Sequence, residues 1–279
     1  MKGKWLGIWL LIPAVIACYP VIFLLTGSLM GTQELKDHLG VALGGGNGFI
    51  SWSILPVYPT LRSYVELLLD SPGFFAMFWN SVKMTGGILA GQMLVGILAA
   101  WGFARYSFPF RKGLFTIYIV LMMMPFQVLM LSNYLVLDGL GLLDTSLGVI
   151  LPSAFSTFPV FIMYRFFRGI PEAVIESARL DGAGELRIFF AIGIPLGSAG
   201  IVSAAVLSFL ESWNLIEQPL TFLKSKTLWP LSLYLPNISM DNAGLAFVAS
   251  VITLVPSLLV FLAGQNYLEQ GIAASAVKE

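Results

Sequence analysis

The chain has 279 residues, 57% of them hydrophobic and 11% charged, with a mean hydropathy of +0.86 and no formal net charge. Soluble domains carry roughly 25% charged residues, so this composition excludes an ordinary soluble protein and requires a bilayer. The neutral balance gives no reason to expect nucleic acid, and a single cysteine, Cys18, excludes an intrachain disulfide.

Apolar runs of membrane-crossing length predict one helical domain over residues 1–279. Lys2 and Lys4 precede the first span, about 6–29. It is longer than the apolar core of a signal peptide, shows no clear small-x-small cleavage site, and is bent by Pro13 and Pro20. A polar connection from Met30 to Phe78 follows, with the flexible Gly44 to Gly48. Within it Thr60 to Asp70 predicts a short amphipathic helix with Leu61, Tyr64, Val65 and Leu68 on its apolar side. Further spans are predicted at about 79–106, 114–136 and 145–166. Between the fourth and fifth lies Glu172 to Pro195, where Glu172, Glu176, Asp181, Glu185, Arg179 and Arg187 gather in a chain otherwise poor in charge. Asp181-Gly182 supplies a turn between two short helices, with Asp181 able to cap the second. The fifth and sixth spans are predicted at about 192–213 and 245–267, followed by a tail of small residues from Gly271 to Glu279. The fold class is thus an all-α membrane protein of six transmembrane helices with a cytoplasmic helix-turn-helix between spans four and five.

Cytoplasmic placement follows from Lys and Arg near the span ends. With the N-terminus inside, ten of the fifteen basic residues are cytoplasmic, and both termini share that side. The other five, Lys36, Arg62, Lys83, Lys224 and Lys226, fall mostly in long outer connections.

Polar groups inside spans are costly and mark function or packing. Gln92, Gln127, Ser132, Asn133, Ser156, Thr157, Ser203, Ser208, Ser250, Thr253 and Ser257 are such groups. Gln127 stands out because Pro125, two residues earlier, kinks the helix and opens space. Glu211, Trp213 and Asn214 at the outer end of span five are either an interfacial belt or a mouth where an indole stacks on a sugar ring and polar groups bond its hydroxyls. Met122 to Met124 point in different directions from a helix and have no Cys or His beside them, so they read as packing. His38 reads as a surface residue. No catalytic or metal-binding constellation is present in the spans, which argues against a membrane-embedded enzyme.

The spacing of Glu176, Ser177, Ala178, Gly182, Ile192, Ile194 and Pro195 resembles the EAA coupling loop of binding-protein-dependent ABC importers, with Ser for Ala and Ile for Leu at two positions. Other stretches are similar to the maltose-type sugar permeases, the smaller partner subunit in particular. They are Pro59-Thr60-Leu61 with Tyr64, Asn80-Ser81, Ala99 to Arg105, Gly139 to Leu142 with Asp144-Thr145, and Phe166-Phe167 with Ile170-Pro171. Trp213-Asn214 with Pro219-Leu220, Gln265 with Gly271, and Ala276-Val277-Lys278 complete the set, although Glu279 stands where the family often has Gly.

The resemblance implies a type I importer permease in a bacterial or archaeal cytoplasmic membrane. Glu176, Ser177, Ala178, Asp181, Gly182, Ile192 and Pro195 would couple it to an ATPase dimer. Gln127, Asn133, Glu211, Trp213 and Asn214 would lie along a possible sugar path. A second permease subunit and an extracytoplasmic sugar-binding protein are the other implied partners. Because G-x-x-x-x-G-K-[ST] does not occur in this sequence, ATP and Mg belong to the partner ATPase and this chain binds no cofactor. An importer of another solute, such as an amino acid or phosphonate, shares the coupling loop; a passive channel would leave that loop without a role.

Overall fold

The computed structural model of the chain describes residues 2–41, 53, 55–234 and 242–276, with side chains described between residues 10 and 269. The Gly44 to Gly48 patch, Val277, Lys278 and Glu279, and the side chains of Lys2 and Lys4 lie outside what is described. The elements are helices: α1 Lys2–Gly27, α2 Thr32–Leu39, α3 Arg62–Leu69, α4 Pro72–Arg105, α5 Arg111–Met123, α6 Phe126–Gly139 and α7 Ser146–Ala154. They continue with α8 Thr157–Gly169, α9 Glu172–Leu180, α10 Glu185–Ile188, α11 Ile194–Trp213, α12 Glu217–Phe222 and α13 Ala243–Ala276. Among the described residues five helical stretches are long and apolar enough to cross a membrane, and α5 with α6 makes a sixth if that bent pair is one span.

Contacts group the chain into two compact units, residues 1–76 with 234–256 and residues 77–233 with 257–279. In the first, Met30, Leu35 and Ala243 form a buried cluster with Leu39 and Phe247. Tyr64 and Ser28 share a hydrogen bond of 2.8 Å. The helix predicted near Thr60 is present as α3, but its buried positions are Ser63 and Leu67, while Leu61 and Val65 are exposed. His38 is half-buried in α2 rather than on the surface.

In the second unit α8 packs along α11 and against α5. A glycine permits the α8–α11 approach, since a Cβ at Gly200 would lie 2.5 Å from the Phe166 ring, and Gly91 does the same between α4 and α7, where a Cβ would lie 2.6 Å from Ala154. The main core joins Ala100, Trp101, Val160, Met163, Tyr164, Phe167, Ile175, Ile188 and Phe189.

Two spans differ from expectation. The third, predicted as one span over 114–136 with a kink at Pro125, is broken outright between α5 and α6 with a 103° bend. Met124, preceding Pro125, takes the extended backbone (ψ 124°) that a following proline ring imposes, and Pro125 has no N–H to carry the helix on. The fifth begins earlier than predicted, because α10 runs through a π turn at Phe189–Gly193 directly into α11. There Ile194 donates to Phe189 O, five residues back. The shift comes just before Pro195, which removes a bond from the regular ladder.

Candidate functional site

The charged segment is built by two interruptions of one helical path. Ile170-Pro171 stops α8, since Ile170 is held extended (ψ 127°) before proline. Glu172 then opens α9, placing an acid at the positive helix end. At the far end of α9 the Ala183 N–H donates to Ala178 O and the Gly182 N–H to Arg179 O, each at 3.0 Å. This pair of bonds closes a helix through a residue in the left-handed region, and Gly182 has φ 79°.

The second limb is not a separate short helix. It is the start of the fifth span, because Phe189, Ile192 and Ile194 keep an apolar face that extends the helix. Asp181 does not cap that limb: it is the C-terminal cap residue of α9, and Gly184 precedes α10.

The loop has an inward and an outward side. Ile175, Ile188 and Phe189 are buried, and Ala178, Ala183, Ile192 and Ile194 pack on the same core. Glu176, Ser177, Asp181, Gly182 and Pro195 are exposed. Ala178, expected to meet a partner closely, is therefore half-committed to this chain. Leu180, Leu186 and Phe190 are 89%, 74% and 63% exposed. These three apolar side chains stand open in a segment otherwise rich in charge. Leu180 and Leu186 were overlooked in the sequence, although Leu180 sits off the α9 face defined by Ile175 and Ala178.

A chain of polar contacts ties both limbs to the end of α4. Arg105 Nη1 donates to Glu172 Oε2 at 2.9 Å, and Nη2 donates to Phe167 O and Ile170 O at 2.6 Å each. The Arg105 guanidinium also lies 5.6 Å from the centre of the Trp101 ring. Arg179 pairs with Glu185 at 2.9 Å and with Glu172 at 3.7 Å, and the Tyr106 hydroxyl donates to Glu185 Oε2 at 3.0 Å. Burial, followed by the bond to Glu185, raises the Tyr106 pKa, while Glu185 holds Arg179 more firmly protonated.

At the opposite ends of these spans α12 lies against α6 and α7. Gln127 is exposed and its Nε2 donates to Glu217 Oε1 at 2.5 Å. Ser153 donates to Gln218 at 2.6 Å, and Gln92 donates to Ser153 O at 2.8 Å. Glu217 and Gln218 escaped the sequence reading because they follow the fifth span rather than lie in it. Asn133 is half-buried on α6 and Glu211 is exposed. Trp213 forms neither belt nor open mouth: it is 3% exposed, stacked on Phe209 at 5.6 Å and edge-on to Phe78 at 5.9 Å. The Asn214 amide is spent on Leu210 O, one turn back. Ser250 and Thr253 bond to carbonyls of their own helix.

The turn between α6 and α7 is latched to the segment after α12. Asp144 Oδ1 accepts the Lys224 and Ser225 N–H groups at 2.9 and 2.8 Å, and Oδ2 accepts the Ser225 hydroxyl at 2.6 Å. The Ser225 bonds, with Lys224 adding to them, hold the Asp144 carboxyl below the usual carboxylate range. Asn80 donates to Thr227 O and Trp229 O, and Ser81 accepts the Leu231 N–H. Asn80, Ser81 and Asp144 thus fasten the connection that follows α12, while Thr145 caps α7 by accepting the Gly148 N–H.

Residues 92–274 match the family described as binding-protein-dependent transport system inner membrane component. The chain is 29% identical over 268 residues to the arabinooligosaccharides transport system permease protein AraQ of Halalkalibacterium halodurans, spanning 95% of this chain and 92% of that one. It is 27% identical to the lactose transport system permease protein LacG of Rhizobium radiobacter, over 94% of this chain and 92% of that protein. It is 29% identical to the sn-glycerol-3-phosphate transport system permease protein UgpE of Yersinia pestis, over 74% of this chain and 75% of UgpE. A chain of a bacterial ABC transporter involved in the import of the acidic polysaccharide alginate superposes with a TM-score of 0.79 at 22% identity, covering 95% and 96% of the two chains.

Proposed function

Because the chain belongs to the family of binding-protein-dependent transport system inner membrane components, we propose that it is a sugar permease subunit whose segment from Glu172 to Pro195 docks on a partner ATPase. It is a multi-pass inner-membrane transport subunit rather than an enzyme. In this reading both termini and the docking loop are cytoplasmic. A second permease subunit completes the pathway, and a loaded binding protein delivers sugar at the opposite face.

The observation that carries the reading is the outward side of the loop. Leu180, Leu186 and Phe190 are exposed in the same segment as the exposed Glu176 and Ser177, while a buried core and an ion-pair chain hold the loop's inward side. A rigid, partly apolar projection of this kind can move with a partner and carry that motion to the spans. ATP and Mg act on the partner, and closure of the ATPase dimer drives the spans between outward and inward access. Glu176, Ser177, Asp181 and Gly182 supply the contact and its bend, and Ile192 and Pro195 carry it into the fifth span.

Substrate class rests on the relatives named for arabinooligosaccharides and lactose, which favours a mono- or oligosaccharide. UgpE, named for sn-glycerol-3-phosphate, keeps a phosphorylated polyol as the second reading. The test is uptake by proteoliposomes containing this chain, its partner permease, the ATPase and the binding protein. ATP-dependent uptake of a labelled sugar supports the proposal, and uptake of glycerol phosphate alone selects the second reading. A Glu176→Cys variant in a Cys18→Ala background should cross-link to the ATPase; absence of any cross-link along residues 176–182 overturns the docking assignment.

A further inference from the structure

We propose that the last turn of α4, with Arg105 as its positioning residue, is the joint that passes motion of the docking loop to the second span; this rests on the docking role proposed above. The loop joins α8 only through Ile170-Pro171, a non-helical link where the chain could hinge. Arg105 spans that link. One nitrogen takes the carbonyls of Phe167, before the break, and Ile170, within it; the other takes the carboxylate of Glu172, after it. Three acceptors on both sides of a hinge, held by one planar group, prevent the hinge from opening. A guanidinium can do this because its donors form a rigid fork, whereas an ammonium is a point charge.

Arg105 is itself immobile. Its side chain is only 5% exposed, and its guanidinium lies over Trp101, which is wedged among Phe167, Phe189 and Gly193. The neighbouring residue holds the other limb, since Tyr106 donates to Glu185 at 3.0 Å. Arg179 closes the circuit by pairing with both Glu172 and Glu185. The end of α4 and the residue that follows it therefore grip the loop before and after its bend. A push on α9 cannot be absorbed at residues 170–171 and is delivered to α4 and α8 together.

The test uses the complete transporter in proteoliposomes, reading sugar transported per ATP hydrolysed alongside recovery of the ATPase with the purified complex. Arg105→Gln should assemble but lower the transport-to-hydrolysis ratio about tenfold, and Arg105→Lys should fall between it and the parent. A second variant, Glu172→Ala with Tyr106→Phe, removes the carboxylate and phenol links and leaves both carbonyl bonds of Arg105 intact. It should assemble fully and lower the ratio several-fold. A ratio equal to the parent in this second variant overturns the proposal, whether or not Arg105→Gln assembles. If the Glu176→Cys cross-link to the ATPase persists in that case, the docking assignment stands and only the joint fails. If the cross-link never forms, the docking assignment has failed first and the joint fails with it.

Discussion

Gly193 presses its backbone against the indole of Trp101 so closely that a Cβ at Gly193 would lie 2.6 Å from Cζ3 of that ring. Trp101 cannot retreat, because Phe167 meets it edge-on at 5.4 Å and Phe189 at 5.5 Å. Gly193→Ala should therefore cost about 1–3 kcal/mol through overpacking. Thermal unfolding of the detergent-solubilised protein measures this, and Trp101→Phe in the same chain should recover part of the loss. An unshifted midpoint for Gly193→Ala would show that the contact relaxes freely.

Gly182 needs a different argument, since a Cβ there would meet nothing within 4 Å. The constraint is the backbone: φ is 79°, where a side chain costs about 1–2 kcal/mol. Gly182→Val should disfavour the bent loop by roughly 5–30-fold and lower substrate-stimulated ATP hydrolysis to match, while the protein still inserts. Asn visits this conformation more readily, so Gly182→Asn should retain most activity. Equal activity in the Val variant would remove the bend from the mechanism.

The features legible in the sequence are those with local causes. Apolar run lengths marked the spans, Asp181-Gly182 the bend, and Pro125 a kink, although not the full 103° break. Features made by distant residues were not legible. Arg105 meets Glu172 across 67 positions and Gln127 meets Glu217 across 90, and no periodicity links such pairs. The same limit explains Trp213: its position at a span end favoured an exposed ring, and only packing with Phe78 and Phe209 buries it. It also explains the fused second limb, where continuity depends on the π turn before Pro195.

Asp144 should make the latch after α12 sensitive to acid. Its pKa is lowered in the folded chain, so its contribution is fully present above the ordinary carboxylate pKa and is lost as pH falls through the lower folded value. Asp144→Ala should speed amide exchange at Lys224 and Ser225 near neutral pH. The stability difference between parent and variant should shrink below about pH 4. A difference independent of pH would mean that the ionised carboxylate is not what holds the segment.

Gln127 and Glu217 make the sharpest test of the sugar path expected from the sequence. Gln127 is exposed beside the break in the third span, and its amide is bonded to a carboxylate on α12. A cysteine at position 127, in a Cys18→Ala background, should react with a water-borne thiol reagent in at least one nucleotide state. It should react faster than one at the half-buried Asn133. The carboxylate supplies a second signature, because a fixed negative charge raises the local concentration of cations. A cationic reagent should outpace an anionic one severalfold, and Glu217→Gln should level the two rates. Protection from both reagents in every nucleotide state would assign Gln127 to packing between α6 and α12.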